Sequence, residues 1–102
     1  MSNTKYEIRL LRLAEDDLTE IILYVAADRS SAAVKLMTNF SRKLTLLEDN
    51  PLIGNVPHED SLRQLGYRYL LVENYLVFYI VESSVVYAHR IIHGARDYVK
   101  RL

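Results

Sequence analysis

The chain has 102 residues, half of them apolar, with 13 Lys/Arg against 13 Asp/Glu and no net charge. That length holds one core and excludes a second domain, so residues 1–102 are expected to form a single domain, while the apolar content excludes global disorder. The absence of cysteine excludes disulfides and thiolate metal sites.

The three histidines, His58, His89 and His93, have no metal-ligand spacing on a helix, so no metal and no cofactor are expected. No leader pattern opens the chain, and no apolar run approaches the ~20 residues that span a bilayer. A cytoplasmic protein without a membrane partner is expected. Zero net charge hides an asymmetry. Residues 1–60 hold seven Lys/Arg and ten Asp/Glu; residues 61–102 hold six and three. The C-terminal part therefore presents a modest positive balance, too weak to imply direct sequence-specific DNA binding.

"KYEIRLLR" alternates, with Tyr6, Ile8 and Leu10 on one side, and reads as a short strand. Ala14, Leu18, Ile21, Ile22 and Val25 then form one helical stripe, with Glu15, Asp16 and Asp17 in the first turn. "DRSS" breaks it, and Ser30 or Ser31 is expected to cap a second helix striped by Ala33, Leu36, Met37, Phe40, Leu44 and Leu47. The short break predicts an antiparallel helical hairpin. "EDNPLIGNVPHED" holds both prolines and reads as a loop.

"LGYRYLLV" and "YLVFYIV" read as strands joined at Glu73-Asn74, where Asn tolerates positive φ. "VVYAHRIIH" is the last strand, and "ARDYVKRL" after Gly94 is expected to add one or two helical turns. The fold class is α+β, in the order β-α-α-β-β-β. An antiparallel sheet with the helical hairpin on one face is expected, and the first strand should insert beside a later one.

The central strand is apolar on both sides. Leu76, Phe78 and Ile80 point one way, and Tyr75, Val77, Tyr79 and Val81 the other. Two helices cover one face. The tyrosine-rich face is expected either to lie under the loop and tail or to be a patch built for a partner.

In order and spacing, "AEDDLTEIILYV", "LEDNPLIGNVP", "LRQLGYRYLLVENYLVFYIV" and "RIIHGARD" resemble the RelE/ParE toxin superfamily of bacterial type II toxin–antitoxin modules over nearly the full chain. The resemblance implies a small growth-arresting toxin held inactive by a cognate antitoxin, with Tyr75, Val77 and Tyr79 as the expected antitoxin-binding patch. It also implies one of two targets. One branch enters the ribosome and cuts mRNA; the ParE branch inhibits DNA gyrase and is not known to need a catalytic residue.

Cutting RNA requires clustered cations to stabilise the transition state, with an acid and a base. Arg68 and Arg96 match basic positions of the ribonuclease branch, and His93 or Tyr98 is available as acid or base. Two other cationic positions of that branch fall on Leu70 and Leu76. A neutral chain is also poorly equipped to neutralise ribosomal phosphates. "RIIHGARD" reads closer to ParE, with Arg90 and Arg96 as target contacts. The ribonuclease reading and a non-toxic interaction module remain as alternatives. Arg68 and Arg90 also have a structural reading, as partners of a carboxylate such as Glu73 or Asp97, and His93 one as a strand-end imidazole bonded to a local carbonyl.

Overall fold

The computed structural model describes residues 5–94 and Leu102. The expected C-terminal helical turns, with Arg96 and Tyr98, lie outside the described residues. Strand β1 (Glu7–Leu10) leads into helices α1 (Arg12–Asp28) and α2 (Ser30–Asp49). A short helix, α3 (Asp60–Gln64), follows, and then strands β2 (Arg68–Val72), β3 (Tyr75–Glu82) and β4 (Val85–His93). The α3 turn was not foreseen in the loop. Its five residues are anchored by Leu62, which is buried.

The sheet order is β1-β4-β3-β2, and β1 runs parallel to β4 rather than antiparallel. Chain direction explains the mixed sheet. Helix α1 continues the direction of β1, passing Leu10 beside Ala88 and reaching Ile91 by Asp17. Helix α2 then returns to the starting end of β1, where Tyr6 N–H donates to Glu48 O at 2.9 Å. The meander therefore starts from the same end as β1, so β2 and β4 share its direction.

Only Arg29 separates α1 from α2, and this extended residue occupies the cap position without a side-chain cap. Ser30 and Ser31 fall inside the helix instead of capping it. In the β2–β3 turn the positive φ of 52° belongs to Glu73 and not to Asn74. The Glu73 carboxylate accepts a hydrogen bond from Asn39 Nδ2 of α2 at 2.6 Å, which ties the turn to the helix.

The helices cover the face opposite to the one expected to receive them. Val77 and Tyr79 are fully buried beneath α1 and α2, among Ala14, Leu36, Phe40 and Leu47. Tyr75 packs against the same cluster, with its ring 6.0 Å from that of Phe40. As an exposed antitoxin patch, Tyr75, Val77 and Tyr79 are therefore corrected: Val77 and Tyr79 have no surface to offer, and Tyr75 is only partly exposed. Burying a tyrosine requires a partner for its hydroxyl, and Tyr79 has one in the Gly54 N–H.

The other face forms a second cluster of Leu62, Tyr67, Leu76, Phe78 and Ile92, with Leu102 packed against it. A bulge in β4 lets that strand serve both clusters. Phe78 pairs with Arg90 and Tyr79 with Ala88, which leaves His89 as the extra residue. The strand's phase shifts there, so Val86, Ala88 and Ile91 all face the helices while Ile92 joins the second cluster.

Phe40 is 2% exposed and carries α2 into the helix-side core, against Tyr75 of β3. Phe40→Ala is expected to lower the unfolding free energy by about 3–5 kcal/mol in urea titration, through lost transfer energy and the cavity left behind.

Candidate functional site

Asp17 lies three residues after Ala14 and four before Ile21, so α1 turns an acid onto its own buried stripe. Its carboxylate accepts from Arg90 Nε at 2.7 Å, Arg90 Nη2 at 3.0 Å and Ile91 N–H at 2.9 Å. The bonded carboxylate raises the pKa of the Arg90 guanidinium, against the opposing effect of its burial. This two-pronged bond at the β4 bulge fastens α1 to the sheet. Arg90 is thus engaged within the fold, by Asp17 rather than by Glu73. Asp17 was missed as a partner, although an acid on an apolar stripe was a readable signal.

Arg90, His93 and Tyr75 line one open depression with Asp17, Glu20 and Tyr24. His93 is exposed and meets the Tyr75 ring edge-on at 5.5 Å. Arg68 is not part of this group. It pairs with Tyr79 while His93 pairs with Tyr75, so the two stand four residues apart along β3, roughly 13 Å. The Arg68 guanidinium instead donates to the carbonyls of Leu52 and Gly54, each at 3.1 Å. Gly54 N–H donates to Tyr79 Oη at 2.9 Å. A side chain at Gly54 would collide with that hydroxyl and with Tyr69 O. Burial raises the Tyr79 pKa, which keeps the hydroxyl protonated, and the Gly54 N–H and Arg68 partly oppose this.

Leu70 and Leu76, at two positions where the ribonuclease branch carries cations, are 7% and 8% exposed and belong to the two cores. Arg96 and Tyr98 lie outside the described residues. Among the described residues no group of three His, Asp or Glu side chains is placed to hold a metal ion, and no helix is long and apolar enough to cross a membrane.

An apolar groove opens between α1 and α2, lined by Leu10, Leu18, Ile22, Leu23, Met37 and Leu44. Leu23 and Met37 are more than half exposed on its rim. On the opposite side of the sheet, His89 Nδ1 lies 3.0 Å from Tyr67 Oη. Burial pushes the pKa of His89 down, opposed by Glu82.

A helical hairpin across one face of a mixed four-stranded sheet, with β1 beside β4, is the fold of the RelE/ParE superfamily of toxins. The chain belongs to the ParE toxin family of type II toxin–antitoxin systems, parDE, whose model matches residues 8–98. A chain of the chromosomal ParDE system from P. aeruginosa superposes with a TM-score of 0.69 at 20% identity, covering 87% of this chain and 96% of that one. A chain of the RelBE2 toxin–antitoxin complex from Mycobacterium tuberculosis gives 0.59 at 18% identity, covering 93% and 98%. At these identities the likeness is one of fold. No curated protein matches the sequence.

Two predictions follow from these contacts. Asp17→Ala and Arg90→Ala should each destabilise the fold by about 3 kcal/mol, and the double variant by clearly less than their sum, in a denaturant double-mutant cycle. Because the folded state holds the His89 pKa below its ordinary value, neutral His89 favours folding. Its contribution is complete above about pH 6.5 and is lost as pH falls through the depressed value. Unfolding free energies measured from pH 8 to pH 5 should fall in that window, and less so in His89→Gln.

Proposed function

We propose that this ParE-family toxin arrests bacterial growth in the cytoplasm through a protein contact that inhibits DNA gyrase, and that a cognate antitoxin holds it inactive. The observation that carries the gyrase reading is the state of the basic set an RNA-cutting relative would need. Two of its positions are core leucines, Leu70 and Leu76. A third, Arg68, has its guanidinium on loop carbonyls, at the other end of the hairpin from His93. Transition-state charge on a phosphate calls for converging cations, and this spacing disperses them. Zero net charge supports the same reading, since a ribosomal target rewards a basic chain.

The groove between α1 and α2 is the surface we assign to the antitoxin in place of Tyr75, Val77 and Tyr79. It is apolar and partly floored by core residues, and an amphipathic segment that folds on contact fills such a groove. Arg96 keeps the target-contacting role. Arg90 acts through the strand it fixes to α1.

Purified, folded toxin should block supercoiling by DNA gyrase, and Arg96→Ala should raise the half-inhibitory concentration about tenfold. Full supercoiling in excess toxin would overturn the proposal. Cut mRNA ends mapped on programmed ribosomes, lost in Arg96→Ala or His93→Ala, would replace it with the ribonuclease reading.

A further inference from the structure

We infer that the outward face of the α1–α2 hairpin binds a second copy of this chain, through a two-fold axis that sets α1 of each protomer on α2 of its partner. The dimer goes beyond the gyrase and antitoxin readings above and does not depend on either.

The hairpin separates charge by helix. Residues 15–28 hold five acids and no Lys or Arg, and residues 29–43 hold four Lys/Arg and no acid. Four of these charges face solvent for one geometric reason. Asp16, Glu20, Lys35 and Arg42 each lie two residues past one packed into the core: Ala14, Leu18, Ala33 and Phe40. Two residues turn a helix through about 200°, so each charge points away from the sheet. Among the described residues none of the four forms an ion pair. Glu20 acts on Arg90 through its field alone.

Their heights match across the hairpin. Arg29 alone separates the helices, and Asp16 lies thirteen residues before it and Arg42 thirteen after. At about 1.5 Å per residue, acid and base stand at one level, roughly 20 Å from the hinge. Glu20 falls between the levels of Lys35 and Arg42. A two-fold axis parallel to the helices, in the plane of contact, keeps every height and exchanges α1 with α2. Asp16 of one protomer then faces Arg42 of its partner, and Glu20 faces Lys35 and Arg42. Leu23, Val34 and Met37, 65%, 64% and 53% exposed, meet over the mouth of the apolar groove. An axis across the helices would instead set α1 on α1 and acid on acid, which charge disfavours.

Area sets the strength. Helix α1 spans about 26 Å and two packed helices about 20 Å, so the face offers roughly 500 Å² per protomer. The resulting ~1,000 Å² is the lower limit of a specific interface, and a dissociation constant of about 10–100 µM follows. On the antitoxin reading this dimer covers the assigned groove, so the two occupants exclude each other.

The test is sedimentation velocity of the full chain over a concentration series that brackets this constant. The wild type should pass from monomer to dimer, and the dimer should weaken as salt rises. Asp16→Arg and Arg42→Asp should each weaken dimerisation at least tenfold. Mixing the two variants should restore it, because every repulsive pair then becomes an acid facing a base. Circular dichroism checks that both stay folded. The chain has no cysteine, so a mixture of Asp16→Cys and Arg42→Cys should be cross-linked to a dimer by a short bismaleimide, and either variant alone should not. A monomer at every concentration, a dimer indifferent to both charge reversals, or mixtures that stay monomeric and uncross-linked would overturn the inference. The toxin is alone in these experiments, so failure here leaves the proposed function untouched.

Discussion

Strand β3 must be covered on both faces, and the rest of the molecule follows from that constraint. Val77, Phe78 and Tyr79 are three consecutive residues with no exposed surface, so neither side of the strand meets water. The helical hairpin closes one side, and α3 with Tyr67 and Leu102 closes the other. Apolar burial on two sides stabilises the thin meander. It also leaves little freedom in where polar groups go. The Tyr79 hydroxyl finds the Gly54 amide, His89 finds Tyr67, and Asp17 finds Arg90 and the Ile91 amide.

Those polar contacts connect folding to function. The Asp17–Arg90 pair sets where α1 crosses the sheet, and so shapes both the depression near His93 and the groove between α1 and α2. The contacts from Tyr79 and Arg68 fix the loop that carries Leu52, Ile53 and Val56 outward. Of the catalytic candidates in the sequence, Arg68 is held on loop carbonyls and His93 packs edge-on against Tyr75.

The periodicity of the helices and the alternation of β1 were legible because each element buries one stripe. Ala14, Leu36, Phe40 and Leu47 fall where the spacing put them. Met37 does not, because it sits on the rim of the groove. The direction of β1 was not legible, because it depends on α1 continuing past the end of the strand. The covered face of β3 was misjudged for a related reason. Both faces are apolar, and only the position of Gly54, far away in sequence, reveals that Tyr79 can be buried. The bulge at His89 is likewise a property of strand pairing and leaves no local mark. Among the candidate site residues, the position of Arg68 in "GYRYL" was readable, but its partners are carbonyls outside the depression, and carbonyls carry no sequence signature.

The central claim is that the chain alone closes both faces of β3. The most direct measurement is urea unfolding of the isolated toxin, followed together by far-UV circular dichroism, tyrosine fluorescence and binding of the dye ANS. A closed core predicts coincident transitions, with no rise in ANS binding ahead of them. A rise in ANS binding before unfolding, with a tyrosine transition preceding loss of secondary structure, would mean that a face of β3 stays open until a partner covers it.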